Sequence, residues 1–377
     1  MNTVNDTYFL VSGMARSGTT LVDKILDSHD NIRAFSQPIP KLYRHVKSAF
    51  FKSIGDNDTY YVLNNLFNND NYTREQFLDF LDNYNISNDV LKAVFKDMER
   101  WSGQYTNFDF NEIIKKHKSS KLVDFYKFFI KELNEYEGIN SFGTKEVLIE
   151  EFVEYFLNNG VKVILIIRDP RDIFTSLNVG VGTDYAGKHR PTLFHLRNWR
   201  KSAAIANTFN DHDNCLVLKY EDLVQNYESK ISEITTFLNL DKFPTGFFDK
   251  GIRGKNNSTW KGNSSTNTHK GIDSSNKNKF QKYLSEQTIA YIEYICKPEM
   301  LSFNYELYSK YCNPYNYSEP FEIGECGLNI NMSTSTQELK IEDRRVKVLE
   351  GEKASKEELV HLFYSAINFE KLRNTLL

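Results

Sequence analysis

The sequence predicts an α/β fold: a central, mainly parallel sheet flanked by helices. Three observations carry this. Tyr8 to Ser12 is a short apolar run that enters a glycine-bracketed turn and then an amphipathic helical pattern. Val161 to Ile167 is seven residues with six apolar, as in a strand covered on both faces of a parallel sheet. Strand-like and helix-like segments alternate along much of the chain, the pattern of parallel strands joined by helical crossovers.

The first strand is 8–12. In the turn after it, Gly13 and Gly18 are spaced to cradle a phosphate-type anion on a helix N-terminus, and Arg16, Ser17, Thr19 and Thr20 lie between or just beyond them. The helix from Thr19 to Ser28 carries Leu21, Val22, Ile25 and Leu26 as its apolar stripe. From about Pro40 to Glu137 the chain is polar, aromatic-rich and helical in pattern. Thr73–Tyr84 and Phe125–Glu137 keep the period of about 3.6 residues. Residues 41–140 therefore read as a helical insertion that serves as a lid or acceptor region, with its Phe and Tyr residues forming a packed sub-core.

Ser141–Val147 is the second strand, and Glu150–Asn158 is a helix stopped by Gly160. After the apolar strand, Asp169–Leu177 turns into a helix. Thr192–Phe209, which contains Trp199, is another. Cys215–Tyr220 is a further strand and Glu228–Leu238 a helix. Gly251–Lys279 is a long loop rich in Gly, Ser, Asn, Thr and Lys, a length that marks either a functional loop or a disordered one. Ser285–Lys297 resumes as a helix. Residues 1–311 make the main domain and 312–377 an appendage of unassigned role. Val346–Leu377 ends the appendage in a helix, with a capping box at Ser355-x-x-Glu358. Leu359, Leu362, Phe363 and Ile367 fall on one face of that helix and are expected to pack on the core.

Composition narrows the function. The 377 residues are 40% hydrophobic and 26% charged, ordinary for a globular chain. The net charge of -3, from interspersed acids and bases, gives no bulk attraction for nucleic acid. Cys215, Cys296, Cys312 and Cys326 lack C-x-x-C spacing, which argues against a disulfide framework or a zinc site. No signal peptide and no apolar stretch of about 18 residues is visible, so a cytoplasmic location without a membrane span is expected. Oligomeric state is left open.

In open parallel sheets, ligands bind beyond the carboxyl ends of the strands. The expected strand ends carry Arg16, Ser17, Thr19 and Thr20; Thr144, Lys145 and Glu146; Arg168 through Ser176; and Lys219, Tyr220, Glu221 and Asp222. On one sheet, Arg16, Lys145 and Arg168 converge on one edge. Three buried cations there are costly without partners, and a polyanionic ligand removes that cost. Thr19 stands where a nucleoside triphosphatase needs Lys, so hydrolysis of ATP or GTP is not indicated.

These residues resemble a family. Arg16-Ser-Gly-Thr-Thr20, with Leu21, Leu26 and His29 following, resembles the 5′-phosphosulfate loop of sulfotransferases that use 3′-phosphoadenosine 5′-phosphosulfate (PAPS). Arg168 with Ser176 resembles their 3′-phosphate motif. Lys219-Tyr-Glu-Asp-Leu223 is similar to the segment that follows it. Trp260-Lys-Gly-Asn-Ser-Ser265 with Lys270-Gly-Ile272 resembles their cofactor-closing loop. The resemblance covers about residues 8–305 and is nearest the carbohydrate and tyrosylprotein branches. It implies a P-loop-like sulfotransferase fold and sulfuryl transfer from PAPS to a hydroxyl or amine of a saccharide or other small molecule. The bisphosphate PAP is the implied product, with no metal and no covalent enzyme intermediate. Arg16 and Ser17, Gly18, Thr19 and Thr20 would hold the 5′-phosphate. Arg168 and Ser176 would hold the 3′-phosphate, Tyr220 would lie near the adenine, and Ser264 and Lys270 would close the loop. Lys145 matches the position of a Lys close to the sulfuryl group.

The resemblance departs at the general base. Many relatives carry Glu in the stretch that here reads Phe35-Ser-Gln-Pro-Ile39, and Gln37 cannot take a proton usefully. His45 and Glu146 are the substitutes within reach, and an unrecognised residue or the substrate itself stays open. His29 reads as structural, its charge favoured at a helix C-terminus. Two other readings are weighed. One is a non-catalytic nucleotide-binding or scaffold protein that keeps the cofactor loops without the base. The other is a P-loop kinase, opposed by Thr19 and by Arg168 next to the one candidate metal ligand, Asp169.

Overall fold

The structure, a computed structural model, describes residues 6–55, 72–99, 109–179, 189–249, 251–254, 259–260, 272, 274–309, 313–323 and 336–376. Its core is a five-stranded sheet made of β1 (Thr7–Ser12), β2 (Ile32–Ser36), β3 (Ser141–Lys145), β4 (Lys162–Ile167) and β5 (Cys215–Lys219). The strand order is β2-β3-β1-β4-β5, with every neighbouring pair parallel. The alternating pleat explains why β1 and β4 are apolar throughout. Phe9, Val11, Ile164 and Ile166 face Val22, Ile25 and Leu26 of the first helix. Leu10, Val163, Leu165 and Ile167 face the opposite layer.

β2 was not foreseen. Its five residues, Ile32-Arg-Ala-Phe-Ser36, hold two polar side chains and begin only four residues after the first helix ends at Asp27. Its pairing is tertiary. Asp27 accepts hydrogen bonds from Arg33 at 2.8 Å and from the Ala34 N–H at 3.1 Å, which fixes the turn into β2. The Arg33 guanidinium then lies 4.5 Å from the Phe35 ring centroid.

The stretch read as helical contains helices Pro40–Ser53, Arg74–Asn83, Asn88–Glu99, Phe110–Lys116 and Leu122–Glu132. Their aromatic residues are core. Phe50 meets Phe77 edge-on at 5.0 Å, Phe77 meets Phe152 at 5.3 Å, and all belong to the same apolar cluster as Leu10 of the sheet. Each such ring contributes about 1.5–3 kcal/mol by burial.

Beyond residue 311 the expected terminal helix is three helices, Thr336–Leu349, Lys356–Leu362 and Ala366–Leu376. The first ends at a turn through Gly351, whose φ of 114° suits glycine. Ser355 Oγ accepts the Glu358 N–H at 3.1 Å and starts the second. Leu362 and Phe363 are buried with Val348, Leu349 and Leu372, but Ile367 is 54% exposed, because the break between the helices rotates it off the shared face. Thr336–Leu349 packs on Glu286–Ser302, and Ala366–Leu376 packs on both Glu286–Ser302 and Thr192–Phe209. Among the described residues no helix is long and apolar enough to cross a membrane.

Candidate active site

Register brings the strand ends together. Val11 pairs with Lys145, Ser12 with Leu165, Ser36 with Lys145, and Ile167 with Lys219. The loop after β1 is tight. Gly13 has φ 152°, and a Cβ there would sit 2.5 Å from the Ile166 carbonyl oxygen. Gly18 has φ 103°, and a Cβ there would sit 2.4 Å from the Tyr220 ring. Arg16, a non-glycine residue, is held at φ 71°, a conformation that L-residues adopt at a cost. The Ser17 N–H donates to the Met14 carbonyl at 3.1 Å, and the helix Thr19–Asp27 starts directly after Gly18. The helix's first N–H groups therefore open onto the loop.

Two distant motifs meet here. Arg16 Nε donates to Ser176 Oγ at 3.1 Å. Arg168 Nη1 donates to the Arg16 carbonyl at 3.0 Å, and Nη2 to the Asn276 carbonyl at 2.6 Å. The Arg168 guanidinium stacks 4.4 Å from the centroid of Tyr220, the ring that lies against Gly18. Asp172 approaches Arg168 at 3.8 Å and accepts the Asn278 and Phe280 N–H groups at 2.8 and 3.0 Å. It thereby ties the end of the long loop to the helix Pro170–Phe174. Ser176 lies in a π-helical turn, Thr175–Val179, a local widening that often marks functional sites. Trp199 Nε1 donates to the Arg168 carbonyl at 2.8 Å and fixes the backbone from behind.

The donors fit an anion. Ser17 Oγ and Arg168 Nε are buried and have no hydrogen-bond partner among the described residues. Each is a donor left for a ligand oxygen, one at a helix N-terminus and one on a planar guanidinium. Thr19 is buried and Thr20 is half-buried.

Lys145 ends β3, almost wholly buried. Its Nζ donates to Gln37 Oε1 at 3.0 Å. Gln37 itself is held at φ 50° just beyond β2, so the unforeseen strand is what aims it at Lys145. Burial pushes the Lys145 ammonium below its ordinary proton affinity, and Asp23 and Glu146 oppose this. Glu146 is fully buried. One oxygen accepts the Ile39 N–H at 3.4 Å at the start of the helix Pro40–Ser53, and the other has no partner. Burial pushes its carboxyl up to about 8 against the pull of Lys145. His45 lies farther along that helix, half-buried. Its electrostatic partners are Asp97 and Lys52, and burial lowers its proton affinity. No contact among the described residues joins it to the Arg16 loop. Ser264 and Lys270 lie outside the described residues. Asp23, which no motif singled out, is buried on the first helix near Lys145.

Comparison with known proteins gives the family. A sulfotransferase domain from the Synechococcus PCC 7002 olefin synthase is 15% identical, with TM-score 0.40, covering 76% of this chain and 91% of its own. A sulfotransferase domain from the curacin biosynthetic pathway is 16% identical, with TM-score 0.43, covering 80% and 99%. Retinol dehydratase, solved with androsterone and the inactive cofactor PAP, is 15% identical, with TM-score 0.38, covering 81% and 83%. No curated protein sequence matches the chain. The model of the sulfotransferase domain family matches residues 6–304, most of the chain, with the loop after β1, Lys145, Arg168 and Ser176 all inside the match. The chain belongs to the sulfotransferase domain family.

Proposed function

We propose that the protein moves a sulfuryl group from PAPS to a hydroxyl or amine of a saccharide or other small metabolite, by direct in-line transfer. Arg16, Ser17 and the N–H groups from Gly18 to Thr20 hold the 5′-phosphate. Arg168 and Ser176 take the 3′-phosphate, with Tyr220 beneath the nucleoside. Ser264 and Lys270, which lie outside the described residues, are assigned to donor binding. The bond from sulfur to the bridging phosphate oxygen breaks as a bond from sulfur to the acceptor oxygen forms. PAP keeps the electron pair of the broken bond, and the acceptor's proton passes to a base, for which Glu146, His45 or a group of the substrate itself is the candidate. Arg16 and Lys145 stabilise the charge that builds on the leaving phosphate and the transferring group.

Gln37 offers no proton acceptor, since its Oε1 receives the Lys145 ammonium. Glu146 becomes a base as the pH approaches about 8. His45, half-buried on the helix Pro40–Ser53 with Asp97 and Lys52 as its electrostatic neighbours, has no contact among the described residues to the Arg16 loop. The helices between residues 40 and 140 shape the acceptor pocket, and the segment after 311 supports it.

The observation that carries the proposal is the Arg16–Ser176 bond at 3.1 Å. It joins the two anion motifs, 160 residues apart, at the ends of adjacent strands. Calorimetric titration with PAP, with ATP as control, tests it. Tight PAP binding, weak ATP binding and loss of PAP binding in Arg168→Ala support the proposal. No PAP binding, or a preference for ATP, overturns it.

A further inference from the structure

Residues 313–323 lie beyond the matched domain and pack against the part of the chain that carries Ser176. The helix Thr192–Phe209 opens after Pro191, which has no side-chain group to cap it. The cap comes from elsewhere. Glu319 accepts the Thr192 N–H at 2.7 Å on one carboxyl oxygen and the Thr192 hydroxyl at 2.6 Å on the other. A carboxylate at the first turn also suits the helix dipole. The Tyr317 hydroxyl hydrogen-bonds Thr192 Oγ1 at 2.8 Å, and its ring lies flat on Tyr291 at 3.9 Å. Phe321 stacks on His189 at 4.3 Å and on Phe174 at 6.2 Å.

These contacts reach the π-helical turn Thr175–Val179 from both ends. Phe174, the residue just before the turn, is buried and meets Phe321. Asn178, inside the turn, clasps the Arg190 backbone. Its Nδ2 donates to the Arg190 carbonyl at 2.9 Å, and its Oδ1 accepts the Arg190 N–H at 3.3 Å. Arg190 stands two residues before the Thr192 that Glu319 caps. Asn178 Oδ1 also lies 3.2 Å from His195 Nε2 in the first turn of that helix. Ser176 sits between Phe174 and Asn178, and its Oγ meets Arg16. A π-turn is a rare conformation, kept where its surroundings over-determine it. We propose that residues 317–321 are a strap that fixes this turn, with Glu319 as a positioning residue: by capping Thr192 it holds Ser176 where the donor's 3′-phosphate binds. The inference rests on the role proposed for Ser176 in donor binding. Glu319 acts through Thr192, Arg190 and Asn178, not on the donor itself.

Two readouts on the full chain test this. The first needs no ligand. Hydrogen–deuterium exchange of the peptide spanning Thr175–Val179 should be about fivefold faster or more in Glu319→Ala and in Phe321→Ala than in wild type, with exchange in β1 and β4 unchanged. Glu319→Gln keeps an acceptor for the Thr192 N–H and should exchange like wild type. The second readout is titration with PAP and with adenosine 5′-monophosphate, which lacks the 3′-phosphate. Glu319→Ala should weaken PAP several-fold and leave the monophosphate unchanged, whereas a merely structural loss weakens both alike. Added to Ser176→Ala it should cost nothing further, since both changes act at one hydroxyl. Unchanged exchange at the turn, or a loss of PAP affinity no greater than that of the monophosphate, overturns the proposal. Should Glu319→Ala fail to fold, Phe321→Ala, at a half-buried ring, carries both readouts. If wild type binds no PAP while exchange at the turn still rises in the variants, the sulfuryl-transfer reading falls and the strap's hold on the turn stands.

Discussion

Gly18 has no room for a side chain. Its φ is left-handed, and a Cβ would lie 2.4 Å from the Tyr220 ring on which Arg168 stacks. Gly18→Ala therefore strains the loop by about 1–3 kcal/mol and pushes Tyr220 and Arg168 out of register. PAP affinity should fall at least about tenfold by titration, more than the shift in urea midpoint implies. Glu146 makes a second case at this scale. Its folded proton affinity is raised from an ordinary 4.5 to about 8. Below 4.5 it is protonated in both states and costs nothing. As the pH rises towards about 8 the unfolded state ionises first, so stability falls across that window. Glu146→Gln should flatten this slope and raise the unfolding free energy at pH 7 by an amount on the order of a few kcal/mol, read as a higher urea midpoint. An unchanged slope would show that Glu146 ionises freely in the folded protein.

At the scale of elements, β1, β4 and the first helix were legible because their residues state their own burial. Val163, Leu165 and Ile167 serve one face, and Ile164 and Ile166 the other. β2 was not legible. With Arg33 and Ser36 among its five residues, its signal lies in its pairing with β3 and in the Asp27 contacts that start it. That omission hid the position of Gln37, which stood in the sequence only as an absent Glu. The π-helical turn at Thr175–Val179 was equally silent, since no local pattern encodes it. Its consequence is testable. Ser176 Oγ accepts from Arg16 Nε, so Ser176→Ala removes one hydrogen bond worth about 0.5–1.5 kcal/mol. PAP affinity should weaken several-fold while the urea midpoint barely moves. A large stability loss with unchanged affinity would make Ser176 a structural residue. Asp23 was silent for a different reason. An acid in an amphipathic helix reads as part of its solvent face, and only the packed sheet shows that this one is enclosed.

At the scale of the molecule, the segment beyond the matched domain is joined to it by buried charge. Arg345, on the helix Thr336–Leu349, is 0% exposed and donates to Glu299 at 2.8 Å and to the Ile295 carbonyl at 2.6 Å. Its Nε lies 3.4 Å from Glu342, which also pairs with Arg200 and Arg197. Glu299, Arg200 and Arg197 lie within residues 6–304, while Glu342 and Arg345 lie outside. Buried ion clusters add little net stability when complete, yet removing one member leaves an uncompensated charge at a cost of about 3–5 kcal/mol. Arg345→Met should therefore destabilise the whole protein by that amount in urea unfolding. The loss should appear as one cooperative transition, because Glu299 sits on the helix Glu286–Ser302 that packs on the sheet's own helices. Adding Glu342→Gln removes the surplus negative charge and should recover part of the loss, the non-additivity expected of neighbours in one network. If Arg345→Met instead melts a separate early transition while PAP binding survives to the main one, the segment after residue 311 is an independent appendage, and residues 1–311 fold without it.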